Sequence, residues 1–97
     1  MGKVVIIVTL TLEESNKEGV IEAFSALHNN LHHEDHGCLQ FDVHKDNEKE
    51  NTYVFVETWE SEALLNVYMS KEPFRAFQAF LADKVVSLSV QRLQKIL

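Results

Sequence analysis

Thr52-Tyr53-Val54-Phe55-Val56-Glu57-Thr58-Trp59 decides the fold. It is rich in β-branched and aromatic residues, so it reads as a strand. It is also apolar on both faces over most of its length, which sets it in the middle of a sheet. Immediately before it, Lys45-Asp46-Asn47-Glu48-Lys49-Glu50-Asn51 is a charged, turn-rich connector of hairpin type. Leu39-Gln40-Phe41-Asp42-Val43-His44 precedes that connector and alternates strictly, giving a strand with one apolar face.

Working outward, Val4 to Val8 and then Thr9-Leu10-Thr11-Leu12 form a first strand. Ser15 or Asn16 is the expected cap of a following helix, with Glu18 in its first turn. Val20, Phe24, Leu27 and Leu31 recur at spacings of four, three and four, one helical face. Gly37 is placed to close that unit through a left-handed turn. Beyond the central strand, Ser61 opens a helix that Lys71-Glu72-Pro73 interrupts, and Pro73 suits the first turn of a new helix. Leu88, Val90 and Arg92 alternate as a last strand.

The order is β-α-β-β-α-β, the ferredoxin-like α+β arrangement with an antiparallel sheet, in one domain over residues 1–97. Helices can cover only one face of such a sheet, yet the first and third strands are apolar on both. A second copy is the economical cover, so the expectation is a homodimer with its sheets packed face to face.

With 97 residues the chain buries only roughly 60–65% of its unfolded surface, and a partner subunit would add to that. Nine Lys and Arg against fifteen Asp and Glu give a net charge of −6 and leave no basic stripe for nucleic acid. No apolar run approaches the roughly 20 residues of a membrane span, and the N-terminal apolar stretch is too short for a signal peptide. Cys38 is the single cysteine, which fits a reducing, cytoplasmic compartment.

Several residues could carry chemistry. Glu57 and Trp59 are two apart and share a strand face. If that face lines a cleft, burial raises the carboxylate's pKa and makes it a usable base; otherwise it pairs with a cation such as Arg75 or Arg92. His44 is a second base candidate by its near-neutral pKa, or a solvated residue at a strand end. Tyr53, Phe55, Trp59, Tyr68, Phe74, Phe77 and Phe80 supply either an aromatic-lined pocket or simply core. His28 and His32 share a helix face next to His33 and His36, but no HExxH order or cysteine pair accompanies them, and no metal site is expected. Cys38 reads as a small semi-buried residue.

The run His36-Gly37-Cys38 through His44, then Tyr53 to Trp59 ending Glu-x-Trp, then Ser61-Glu62-Ala63-Leu64, resembles the antibiotic biosynthesis monooxygenases. The resemblance covers residues 4 to about 82. It implies a dimeric α/β-barrel and, in well-described members, oxygenation of quinols or anthrone-type polyketides without a cofactor. With Trp59 as anchor, the family's helix His falls on Tyr68 and its later Phe on Phe74. Heme-degrading relatives need an axial His near the position of Gln78, and no His follows His44, so no heme is expected.

The expected function is therefore cofactor-independent monooxygenation of a small aromatic, quinol-like molecule with molecular oxygen. Tyr68, Glu57 and His44 are the catalytic candidates; Trp59, Phe74, Tyr53 and Phe77 would bind the substrate. An isomerase of a small signalling metabolite, or a non-catalytic binding module for stress responses, would use the same cleft.

Overall fold

The computed structural model of the protein describes residues 2–97. In chain order it contains β1 (Val4–Leu12), α1 (Val20–Glu34), β2 (Cys38–Lys45), β3 (Thr52–Trp59), α2 (Glu62–Met69), α3 (Glu72–Leu81) and β4 (Val85–Leu93). The four strands form one sheet in the order β2-β3-β1-β4, every neighbouring pair antiparallel. This is the ferredoxin-like arrangement, with the second helical segment broken in two where Pro73 starts a fresh first turn. No helix among the described residues is long and apolar enough to cross a membrane.

The two strands that read as apolar on both faces, β1 and β3, occupy the middle of the sheet. Ile6, Leu10 and Leu12 of β1 face the helices, as do Tyr53, Phe55, Glu57 and Trp59 of β3. Val5, Ile7, Val54 and Val56 alternate onto the other face, which no helix covers. The core forms where Val20, Phe24, Leu27 and Leu31 of α1 settle on the first face, the stripe that the spacing predicts. Phe24 is its hub. Its ring meets Phe55 edge-on at 5.0 Å, Tyr53 at 5.5 Å and Phe77 of α3 at 6.0 Å. Truncating such a buried aromatic costs about 3–5 kcal/mol, so this joint dominates the helix–sheet contact.

Two local expectations are corrected. Neither Ser15 nor Asn16 caps α1, and Glu18 lies outside its first turn. Glu14–Asn16 instead make a single 3-10 turn, and α1 begins behind Gly19, whose φ of 81° is left-handed. The chain must reverse after β1 to lie back across the sheet, and glycine adopts that conformation without the steric penalty of a Cβ. Gly37, by contrast, is not left-handed; Gly19 is the only glycine with positive φ among the described residues. Gly37 is needed for close approach. A Cβ there would stand 2.9 Å from the Cβ of Leu64, so the start of β2 presses directly on α2. Its N–H donates to Asp35 Oδ1 at 3.2 Å, and its carbonyl accepts from Glu60 N–H at 2.8 Å.

Candidate functional site

The helices lie mainly over β2 and β3, leaving the β4 side of the same face open. Leu88 and Val90 of β4 point toward the helices yet remain about half exposed, which marks the gap. Between this side of the sheet and the α2–α3 edge lies a cavity of about 300 Å³. Ile6, Val8 and Leu10 from β1, Phe55 and Glu57 from β3, and Leu88, Val90 and Arg92 from β4 form its floor. Leu65, Tyr68 and Met69 from α2, with Phe74, Phe77, Gln78 and Leu81 from α3, enclose it on the helical side. A space of this kind, apolar with few polar groups, suits a small, largely apolar molecule.

Glu57 is the one carboxylic acid on that lining and is buried. Burial pushes its pKa above the usual carboxylate range, and a hydrogen bond from Trp59 opposes the rise. Trp59 Nε1 donates to Glu57 Oε1 at 2.9 Å, a contact that the two-residue strand spacing makes available. Among the described residues no cation pairs with Glu57. Arg92 reaches Glu62 instead, at 2.6 Å.

Tyr68 lies between two rings, 4.9 Å from Trp59 at an interplanar angle of 31° and 5.2 Å from Phe74. Its hydroxyl is buried with no hydrogen-bond partner among the described residues. Burial, and secondarily the negative charge of Glu57, drive the phenol pKa well above its ordinary value, so the group stays protonated and can only donate or accept a hydrogen bond. The thiol of Cys38 is pushed up to about 11, chiefly by burial, and is therefore not a thiolate at neutral pH.

Glu57, Tyr68, Phe74 and Phe77 thus meet around one cavity. Three other sequence candidates lie elsewhere. Trp59 is fully buried behind Tyr68, where it holds Glu57 and does not reach the lining of this cavity. Tyr53 packs against Phe24 in the core. His44 is exposed near the outer end of β2, with Nδ1 3.3 Å from the carbonyl oxygen of Val54, because alternation turns it away from the Phe41 face. Phe80, grouped above with the aromatics of a pocket or core, is instead partly exposed beneath the ammonium of Lys84, 4.1 Å from its ring centre. His28 and His32 stack at 4.9 Å, but no three His, Cys, Asp or Glu side chains converge as metal ligands among the described residues.

Sequence reasoning missed the floor. Leu88, Val90 and Arg92 are visible as an alternating strand, but alternation does not reveal that the helices stop short of it. Arg92 is consequently the cation of the cavity wall, while Lys71 is engaged with Asp35 at 3.2 Å.

No protein of curated function matches the chain. Solved structures resemble it closely in fold. A candidate antibiotic biosynthesis monooxygenase from Caulobacter crescentus superposes with a TM-score of 0.92 at 18% identity, covering 98% of this chain and 91% of that one. A Pseudomonas aeruginosa protein gives 0.89 at 22% identity, with coverages of 100% and 97%. A candidate antibiotic biosynthesis monooxygenase from Nitrosomonas europaea gives 0.90 at 15% identity, with coverages of 99% and 93%. At these identities the likeness speaks for the fold alone. The sequence pattern of the antibiotic biosynthesis monooxygenases, however, matches residues 3–79, most of the chain, and the protein belongs to that family.

Proposed function

We propose that the protein is a cofactor-independent monooxygenase of a small aromatic, quinol- or anthrone-like substrate. The observation that carries this reading is the pairing of an apolar cavity with one buried acid of raised pKa, Glu57. Ground-state dioxygen reacts poorly with closed-shell molecules, so the substrate must first become electron-rich. Ionised Glu57 takes a proton from the substrate carbon or hydroxyl. The Tyr68 hydroxyl, without a partner among the described residues, donates to the oxygen on which charge develops. The resulting anion passes one electron to dioxygen, the two radicals combine as a carbon-bound peroxide anion, and the proton held by Glu57 returns to it, giving the hydroperoxide and the ionised base again. Loss of water leaves a new carbonyl: one oxygen atom stays in the product, and the other leaves with two substrate hydrogens. Apolar walls exclude bulk water and take up the aromatic rings of the substrate.

The uncovered sheet face, with Val5, Ile7, Val54 and Val56 at its centre, supports a homodimer packed sheet to sheet. Sedimentation tests that part: Ile7→Glu is expected to yield monomer, and a monomeric wild type would overturn it.

Oxygen consumption by metal-stripped protein, with hydroquinones and anthrone-like phenols, tests the chemistry. Uptake should match product stoichiometrically and fall about a hundredfold in Glu57→Gln. Uptake that persists in Glu57→Gln, or that requires added metal, overturns the mechanism. Turnover of the same probes without oxygen uptake would transfer the base to isomerase chemistry.

A further inference from the structure

We propose that Arg92 is the specificity-determining residue of the cavity, and that the substrate is an aromatic bearing a carboxylate at the end opposite its reacting hydroxyl. The inference rests on the cavity being the substrate site. Glu57 and Arg92 both pair with Ile6, one from β3 and the other from β4, so the three stand in a single row across the sheet. Glu57 and Arg92 both line the cavity, which places an acid and a cation on one floor, two strand spacings or roughly 10 Å apart at the backbone. That span fits one to two fused rings.

The surroundings of Arg92 give the anionic end its place. Arg92 also borders an open outer groove shared with Lys3, Ser61 and Glu62, so it stands where the cavity meets solvent. A charge held there keeps part of its hydration while the rings enter the apolar interior. The guanidinium contacts Glu62 through Nη1 alone. Its Nε–Nη2 edge has no partner among the described residues and can take a carboxylate in bidentate fashion. Glu62 is the more exposed of the pair, at 60%, and anchors its partner weakly, so an incoming anion can share or displace it. At the other end, ionised Glu57 repels a carboxylate. Attraction at one end and repulsion at the other admit a single orientation, with the hydroxyl facing Glu57.

The test compares two bicyclic probes by calorimetry, 6-hydroxy-2-naphthoate and 2-naphthol, so it reads binding independently of oxygen chemistry. Wild type is expected to bind the naphthoate about tenfold more tightly, the scale of one hydrogen-bonded charge pair. Arg92→Gln should collapse that ratio to near one, and Arg92→Lys should keep part of it. Glu62→Gln should raise the ratio, because a competing anion is gone. A ratio near one in wild type overturns the proposal while leaving the cavity as the binding site. So does a ratio that survives Arg92→Gln with both affinities lowered alike, which would mark Arg92 as merely structural. Failure of both probes to bind would overturn the cavity reading along with it.

Discussion

Gly37→Ala is a sharp test of how the site is built, because it adds one methyl group where β2 meets α2. The new Cβ would lie 2.9 Å from Leu64 Cβ and 3.2 Å from Leu64 Cδ1. Leu64 Cδ1 can rotate away, but its Cβ is fixed to the helix, so α2 itself must shift. Overpacking of this kind costs about 1–3 kcal/mol. Alanine returns about 0.4–1 kcal/mol by restricting the unfolded chain, since Gly37 holds no left-handed backbone. The net loss is about 1–2 kcal/mol, or roughly 5–15 °C in Tm for a domain of this size. Thermal and urea unfolding should be run at one protein concentration, because association would add to stability. The decisive measurement is a double-mutant cycle. In a Leu64→Ala background the Cβ clash remains and Gly37→Ala should still destabilise. In a Leu64→Gly background the clash is gone, and Gly37→Ala should be neutral or stabilising. Equal effects in the two backgrounds would refute the close-approach argument. Because α2 carries Tyr68, the destabilised variant should also bind cavity ligands less tightly.

Glu57→Gln keeps an oxygen for the Trp59 N–H but cannot ionise. Because the folded carboxyl binds its proton more tightly than the unfolded one, wild-type stability falls as pH rises from the unfolded pKa through the raised folded value. The variant should therefore gain Tm over wild type at neutral pH, and the gain should shrink toward pH 4; a pH-independent difference would contradict the burial argument. Trp59→Phe removes the bond that lowers the Glu57 pKa, so the pH profile of oxygen uptake should shift alkaline, with a stability loss of about 2–4 kcal/mol from the unmade bond and the lost volume. An unmoved profile would dissociate Trp59 from the base. Tyr68→Phe should leave stability unchanged or raise it by up to about 1 kcal/mol, because the hydroxyl is buried without a partner among the described residues, while phenol affinity falls about fivefold to tenfold. A large stability loss would mean that the hydroxyl has a structural partner.

Patterns that repeat along the chain were the legible ones. The α1 stripe, the two-faced β3 and the break at Pro73 each depend on local periodicity or backbone chemistry, and each appears in the fold where that chemistry requires it. The two glycines were harder. One serves a reversal over β1, the other a contact with a residue 27 positions later, and neither need is written in neighbouring residues. The site divides the same way. Glu57 and Tyr68 stood out as polar groups amid aromatics, but the roles of Trp59 and Arg92 depend on which half of the sheet the helices leave bare.

That bare half also explains how a 97-residue domain can hold an acid inside itself. Full helical cover over β4 would have filled the space beside Glu57, leaving a desolvated carboxyl with no cavity beside it. Without cover over β3, the carboxyl would have stayed hydrated at its ordinary pKa. The helices cover β3 and stop before β4, so Glu57 loses water while one side of it still faces a cavity. Trp59 then limits how far the pKa can rise, holding Oε1 through its N–H while the stack with Tyr68 holds its ring. The Glu57-x-Trp59 spacing is effective for this reason: alternation puts acid and donor on one face, and burial of the donor fixes the acid's orientation at the cavity floor.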